Sequence, residues 1–174
     1  QSLKVGRDKF FAILRANHLL ITPKRTYHTT AMSHHRFRKY PNIVKGLSIN
    51  SPNQVWVSDI TYIGKREKPC YLSLITDAYS KKIVGYEVSN NMCTTHVTKA
   101  LKMAQKQRKT TEMVIHHSDR GVQYCSDEYQ YYLNKYKIGC SMTENGDPYE
   151  NAIAERINGI LKQEFRIDTY HLDL

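Results

Sequence analysis

The stretch QVWVSDITY, residues 54–62, decides the fold and contains the first acid of interest. It is rich in β-branched and aromatic residues, which is typical of a β-strand. Side chains alternate between the two faces of a strand, so Asp59 lies on the same face as Val55 and Val57. A carboxylate among apolar neighbours is costly unless it is hydrogen-bonded, paired or bound to a metal ion. Asp59 is therefore either a satisfied structural residue or a functional one.

Outward from this strand, the sequence predicts a three-stranded antiparallel meander followed by alternating helices and strands. The links between the first three apolar runs are short and polar, which favours hairpins. The predicted strands are 54–63, 70–77, 83–88, 113–117 and 138–142, and the predicted helices are 94–107, 127–136 and a last one starting near residue 147. Asp147 and Glu150 have the spacing of a capping box, and Pro148 suits the first turn of that last helix. Elements in this order form a mixed sheet with helices packed on its faces.

Two further acids lie on predicted elements that could bring their side chains close to Asp59. Asp119 follows the predicted strand 113–117 at its carboxyl end, where ligand sites of open sheets gather. Glu155 lies on the last helix, 36 positions after Asp119. Each acid alone has an ordinary explanation, respectively a buried hydrogen bond, a turn cap and a solvated helix face. Together they are what two-metal phosphoryl transfer requires, namely hard oxygen ligands on a rigid scaffold.

The last helix is predicted to have one apolar and one polar side, at about 100° per residue. The apolar side is formed by Ile153, Ile157, Ile160, Leu161 and Phe165. Glu155 falls close to the opposite side, and its polar neighbours there are Asn151, Asn158, Lys162 and Arg166. A helix lying along a phosphate backbone would present such a stripe, and so would an ordinary solvated face.

Other candidate residues have simpler explanations. Asp77 ends a predicted strand beside the turn at Tyr79 and Ser80, and is interpreted as a turn former. His116 and His117 are adjacent on a strand, so their side chains point to opposite faces and cannot easily share a metal ion.

Charge divides the chain unequally. The net charge is +10. Residues 1–50 hold ten Lys or Arg and one acid, whereas residues 51–174 hold sixteen Lys or Arg and fifteen acids. A concentrated basic segment indicates a polyanionic partner, usually nucleic acid, although a solvated arm without a partner remains the alternative. We therefore predict a basic helical segment and linker at 1–50 and one catalytic core at 51–174. The candidate DNA contacts are Lys24, Arg25, Arg36, Arg38, Lys39, Asn158, Lys162 and Arg166.

The composition also bears on the compartment. No apolar run approaches the roughly 18 residues needed to span a bilayer. The four cysteines are widely spaced and include no C-x-x-C pair. This spacing indicates neither a zinc knuckle nor a disulfide framework, so we expect reduced thiols in a cytoplasmic protein without a membrane partner.

Three segments together resemble a known family. Residues 54–62, 117–124 (HSDRGVQY) and 147–155 (DPYENAIAE) look like the integrase-core signature of insertion-sequence transposases of the IS3 group. The 35 residues between Asp119 and Glu155 match the D,D-35-E spacing of that group. The resemblance implies a ribonuclease-H-like fold, with a mixed five-stranded sheet and helices on both faces. It also implies that the chain, which ends at Leu174, is a core truncated at its C-terminus.

The resemblance further implies a function. Asp59, Asp119 and Glu155 would be the catalytic triad of a DDE-type polynucleotidyl transferase and would hold two Mg²⁺ or Mn²⁺ ions. A water would cleave a phosphodiester at the element's end, and the freed 3′-OH would attack target DNA. The implied partners are element ends and target DNA, with a homo-oligomer assembled on them at the bacterial nucleoid.

Two other functions stay open at this stage. One is a non-catalytic DNA-binding fragment of a decayed transposase, which the basic segment would serve equally well. The other is a ribonuclease-H-type nuclease, which shares the fold and the metals. That class places an acid on the first helix after the meander, and residues 94–107 contain no Asp or Glu, which argues against it.

Overall fold

The computed structural model of the chain describes residues 5–17, 19, 35–64, 69–144 and 151–169. Its centre is a five-stranded sheet with the strand order β3-β2-β1-β4-β5. The strands are β1 (Val55–Ile63), β2 (Cys70–Asp77), β3 (Ile83–Ser89), β4 (Val114–Ser118) and β5 (Ile138–Met142). All five strands agree with the sequence prediction to within about one residue at each end, as boundary assignments allow.

The pairing of the strands places two predicted site residues beside each other. β1, β2 and β3 form the predicted antiparallel meander, while β4 runs parallel to β1 and β5 parallel to β4. Val57 is level with His117 in the β1–β4 register. Asp59 and Asp119 each follow two residues later, so they lie on adjacent segments, Asp59 in the middle of β1 and Asp119 directly after β4.

Helices cover both faces of the sheet. The described helices are α1 (Arg7–Ala16), α2 (Thr94–Gln107), α3 (Val122–Cys125), α4 (Asp127–Lys135) and α5 (Ala152–Gln163), with a short 3-10 turn at Ile167–Thr169. α2, α3 and α4 pack together on one face, and α5 packs across β1 and β2 on the other. α1 has no buried residue and exposes Phe10 and Phe11.

The larger core lies between the sheet and the α2–α4 face. Trp56 is fully buried there, and its indole N–H donates to the Asn53 side chain at 3.1 Å. Gly85 lets α2 approach β3 closely, because a Cβ at this position would lie 2.2 Å from the Ala100 carbonyl oxygen. Burial of these apolar side chains fixes the helices against the sheet.

The opposite face includes part of the predicted linker. Val44 and Ile49 pack against Val55 and Val57. The Ile43 N–H donates to the Ser141 hydroxyl at 3.1 Å. Residues 35–50 are therefore not a free arm, because this part of the segment is attached to the core beside β5.

The last helix differs from its sequence prediction at both ends. α5 begins at Ala152 with Asn151 at the N-cap position, whose side chain makes no capping hydrogen bond, while Asp147, Pro148 and Glu150 lie outside the described residues. The helix ends at Gln163. Phe165 and Arg166 therefore lie beyond it, and Phe165 is 61% exposed rather than part of the apolar side.

The structure also describes the cysteines and the character of the helices. Cys70, Cys93, Cys125 and Cys140 are all free thiols. In the described part of the chain, no helix has the length and apolar character required to cross a membrane.

Candidate active site

The Asp59 carboxylate lies half-buried on the face of β1 that α5 covers. One of its oxygens accepts the Ile60 N–H at 2.9 Å. The other accepts the side-chain amide of Asn158, on α5, at 2.6 Å. Asp59 is thus held in one orientation by its own strand and by the helix packed on it.

Asp119 follows β4 directly and is also half-buried. Its Oδ1 accepts the Gly121 N–H at 2.9 Å, which fixes the carboxylate in the turn that leads to α3. The turn cap was the ordinary explanation for this acid, and within the described residues Asp119 forms no ion pair. Turn geometry and burial, rather than a cation among the described residues, determine its environment.

The acids act on one another electrostatically. The pKa of Asp59 is raised from 3.8 to about 7, first because burial desolvates the carboxylate and next because Asp119 carries a like charge. Glu155 adds a smaller repulsion, and the hydrogen bonds from Ile60 and Asn158 oppose the shift. Burial also raises the pKa of Asp119 against the opposing Gly121 hydrogen bond. A cation placed among these carboxylates would relieve the repulsion.

Glu155 is the outer member of the group. It lies exposed in the first turn of α5, close enough for its charge to act on Asp59. Across residues 5–17, 35–64, 69–144 and 151–169, no group of three or more His, Cys, Asp or Glu side chains is arranged to hold a metal ion. The two aspartates are therefore positioned by the sheet, while Glu155 faces solvent beside them.

Asn151, at the N-cap of α5, and Asn158, within the helix, are buried, so they do not belong to the exposed polar side that the helical pattern predicts. Asn151 and Asn158 are 7% and 6% exposed. The Asn151 amide donates to the Ser58 carbonyl at 3.1 Å, and Asn158 donates to Asp59. They attach α5 to β1 on either side of Glu155. The sequence gives little sign of this, because an amide on a helical wheel looks the same in a solvated stripe as in a buried contact.

A buried polar network supports β1 from the other face. The Nε2 atom of His116 lies 2.8 Å from the Ser58 hydroxyl and 2.9 Å from the Tyr129 hydroxyl. Burial, followed by the nearby His117, lowers the pKa of His116 to about 3. His117 lies on the opposite face, with Nδ1 2.9 Å from the Ser141 hydroxyl. The prediction that the two histidines do not share an ion is consistent with this arrangement.

The basic segment reaches the edge of the sheet that carries the aspartates. His35 Nε2 lies 2.9 Å from the Arg120 carbonyl oxygen, one residue beyond Asp119. Arg36, Arg38 and Lys39, which follow His35, are exposed. The exposed cations of this segment therefore begin beside the candidate active site.

The other predicted DNA contacts are placed differently. Lys162 is half-buried on α5, with its ammonium 5.9 Å from the Tyr62 ring centroid. Arg166 is exposed beyond the end of α5, with a positive φ of 53°. Lys24 and Arg25 lie outside the described residues.

The sequence was compared with models of protein families. Residues 49–148 match the model described as the integrase core domain. The chain belongs to the integrase core domain family. The matched region contains Asp59 and Asp119 and ends before α5, so Glu155 lies outside it.

Relatives among curated proteins come from insertion sequences. An uncharacterised 31 kDa protein of insertion element IS600 from Shigella sonnei is 36% identical over 161 residues, which cover 92% of this chain and 59% of the relative. The transposase InsF of IS3A from Escherichia coli K12 is 39% identical over 115 residues, covering 66% of this chain and 40% of InsF. The chain spans about half the length of such relatives. The resemblance to IS3-group transposases is confirmed.

Solved structures with a similar fold are retroviral. The chain matches the HTLV-2 integrase catalytic core domain in complex with magnesium with a TM-score of 0.52 and 22% identity, covering 64% of this chain and 68% of that one. It matches a chain of the simian T-cell lymphotropic virus intasome with a TM-score of 0.61 and 19% identity, covering 86% of this chain and 53% of that one. The predicted ribonuclease-H-like fold is confirmed.

Proposed function

We propose that this chain is the catalytic core of a DDE-type transposase, a polynucleotidyl transferase that cleaves DNA at insertion-sequence ends and joins the freed 3′-OH to target DNA. The observation that carries the proposal is the placement of Asp59 and Asp119 on neighbouring parallel strands with Glu155 on the helix above them. Burial and, after it, repulsion by Asp119 raise the pKa of Asp59, which is typical of a site built to receive cations.

Asp59, Asp119 and Glu155 would hold divalent metal ions, two Mg²⁺ or Mn²⁺ per site. With the exposed Glu155 side chain turned towards the two aspartates, the three carboxylates would form the hard oxygen donor set that these ions prefer. Bound there, the ions supply activation of the attacking oxygen and stabilisation of the leaving oxygen. The chain's own contribution is to orient Asp59 through Asn158 and to fix Asp119 through the Gly121 N–H.

DNA is the proposed partner, with the protein acting as a homo-oligomer on it in the bacterial cytoplasm at the nucleoid. Arg36, Arg38 and Lys39 are exposed directly after His35, which contacts the residue beyond Asp119, and they would contact phosphates. Lys162 and Arg166, and with them Lys24 and Arg25 of the basic segment, are assigned the same role. Asn158 is assigned a different one, because its buried amide binds Asp59 and is not available to DNA.

The test is the substitution Glu155→Gln in an assay of strand cleavage on a labelled duplex that carries an element end. Cleavage with Mg²⁺ is expected to fall by at least about 100-fold, because the neutral amide is a poor ligand for a hard cation. DNA affinity should hardly change. Glu164→Gln, at the exposed C-cap position of the same helix, is the matched control and should cleave normally.

Two outcomes would contradict the proposal. Unchanged cleavage in Glu155→Gln would remove this residue from the triad. A wild-type chain that binds element ends with salt-dependent affinity but cuts neither with Mg²⁺ nor with Mn²⁺ would instead be a DNA-binding fragment.

A further inference from the structure

A second cavity, of about 360 Å³, opens at the other end of the sheet from the candidate active site. It lies between the β2–β3 turn and the end of α2, and its lining includes Lys82, Arg108 and Lys109. Asp77, which also lines it, pairs with Trp56 at the start of β1. The cavity lies at the start of β1, whereas Asp59 lies further along that strand. It also lies on the α2 side of the sheet, whereas Asp59 faces α5.

Among the described residues, no acid forms an ion pair with the cations that line this cavity. Lys82 and Lys109 are exposed, and among the described residues neither ammonium has a hydrogen-bond or ion-pair partner. The Arg108 guanidinium donates to the carbonyls of Tyr136 and Glu112, which are neutral acceptors. Its position is thus fixed while its positive charge remains uncompensated.

The carboxylate of the one acid in the described lining already accepts hydrogen bonds from the chain. Asp77 is 2% exposed, and its two oxygens accept the N–H groups of Asn53 and Ser80, each at 2.9 Å. These bonds hold the β2–β3 turn. The side chains that remain for a ligand are those of Lys82 and Lys109, above the fixed charge of Arg108.

The positive charge is local to this end of the core. Residues 51–174 hold sixteen Lys or Arg against fifteen acids, so the core as a whole is close to neutral. Yet Lys81, Lys82, Lys106, Arg108 and Lys109 all fall within the two segments that form the cavity. Solvated lysines normally cover convex surface, whereas these two segments enclose a concave one.

We propose that this cavity binds phosphate groups of a DNA segment other than the one held at Asp59. The choice of DNA as the polyanion rests on the proposed function. Lys82 and Lys109 would contact phosphate oxygens, and Arg108 would add a fixed charge behind them. Asp59 lies three positions after Trp56 on β1, a span of about 10 Å, and the cavity lies on the opposite face. DNA bound here therefore extends the contact surface of the core well beyond the strand that is cut.

The test compares two double variants that remove the same net charge. In Lys82→Ala/Lys109→Ala the cavity loses both ammonium groups. The control is Lys102→Ala/Lys135→Ala. Lys102 lies on α2 and Lys135 on α4, and the ammonium groups of both lie over the Tyr132 ring, outside the cavity. Affinity for duplex DNA is measured from low to moderate salt. The slope of log K against log salt should fall by about 2 in the cavity variant, since each phosphate contact contributes about 0.9, and should stay near wild type in the control.

The result that overturns the inference is an equal slope in the cavity and control variants while the wild type binds DNA normally. Loss of binding to inorganic tripolyphosphate with unchanged DNA affinity would also overturn it, because the cavity would then hold a small anion only. Thermal unfolding of each variant verifies folding, and Lys82→Gln/Lys109→Gln replaces the alanine pair if that pair unfolds early. Failure of the proposed function looks different, since the wild type would then not cut DNA at all.

Discussion

The Asn158 side-chain amide donates a hydrogen bond of 2.6 Å to a carboxylate oxygen of Asp59. This charge-assisted bond joins α5 to β1, and such bonds are shorter and stronger than neutral ones. Asn151 makes a second attachment four residues before Glu155, to the Ser58 carbonyl. The helix that carries Glu155 is thus fixed to the strand that carries Asp59 on both sides of the acid.

Removing the bond with Asn158→Ala should impair catalysis through Asp59. The Asn158 bond lowers the pKa of Asp59, so its loss should move the rise of cleavage rate with pH to higher pH. We expect a rate about 10-fold to 100-fold lower at neutral pH, measured as cleavage against pH. Gln163→Ala, at the exposed end of α5, is the control. A lower rate with an unshifted pH profile would mean that Asn158 acts only on folding.

Asp59 should make the metal-free protein less stable as pH rises. The pKa of Asp59 is about 7 in the folded chain, and its ordinary value of 3.8 applies to the unfolded chain. The folded state therefore binds the proton more tightly. Stability is therefore fully present below about pH 4 and is lost as pH rises through 7. Asp59→Asn removes this loss and should be more stable than wild type at pH 8, by at most about 4 kcal/mol at 1.36 kcal/mol per pKa unit. The two proteins should differ little at pH 4.5.

Urea unfolding at the two pH values, with a chelator present, measures this difference. An Asp59→Asn effect of the same size at pH 4.5 and pH 8 would contradict it, because the effect would then not come from ionisation. Adding Mn²⁺ at pH 8 should stabilise the wild type and leave the variant nearly unchanged.

His116 should have the opposite dependence on pH. Its pKa falls from 6.5 to about 3 on folding, so the unfolded state binds the proton more tightly. Stability is present above about pH 6.5 and is lost as pH falls towards 3. His116→Gln cannot take up this proton, so acidification from pH 7 to pH 4 should cost the wild type about 3 kcal/mol more than the variant. The Asp59 contribution cancels in the comparison, and equal losses in both proteins would contradict the prediction.

Asp77 should matter for the fold and not for the chemistry. Asp77→Ala leaves the N–H groups of Asn53 and Ser80 without their acceptor, which should cost about 2–4 kcal/mol of unfolding free energy. Cleavage measured well below the unfolding midpoint should remain near wild type. A variant of normal stability that does not cleave would move Asp77 into the active site.

The sheet was predictable from the sequence for a physical reason. Its strands are runs of β-branched and aromatic residues separated by polar turns, and alternation places Asp59 on the face that α5 covers. The four-residue helix α3 was not predicted, because an element that short has no measurable periodicity. The contacts of residues 35–50 were missed too, since the few apolar residues there, such as Val44 and Ile49, do not form a pattern.

Some site residues could be recognised from the sequence pattern, and others could not. The acid inside an apolar strand, Asp59, and the acid directly after one, Asp119, can be recognised, because a charge within or next to an apolar run is unusual. The pattern put Asn151 and Asn158 on an exposed polar side, since only the packing of α5 against β1 distinguishes a buried polar side chain from an exposed one. The bond from Asn158 to Asp59 spans 99 positions of sequence, and periodicity along the helix contains no information about it.

The most direct test of the metal-dependent active site is anomalous diffraction from crystals soaked in Mn²⁺ at pH 8, where Asp59 is ionised. We predict anomalous density between the carboxylates of Asp59 and Asp119, with the exposed Glu155 side chain turned towards it. Ordered carboxylates of Asp59 and Asp119 with no anomalous density beside them would contradict the account, and this core would then bind DNA without cutting it.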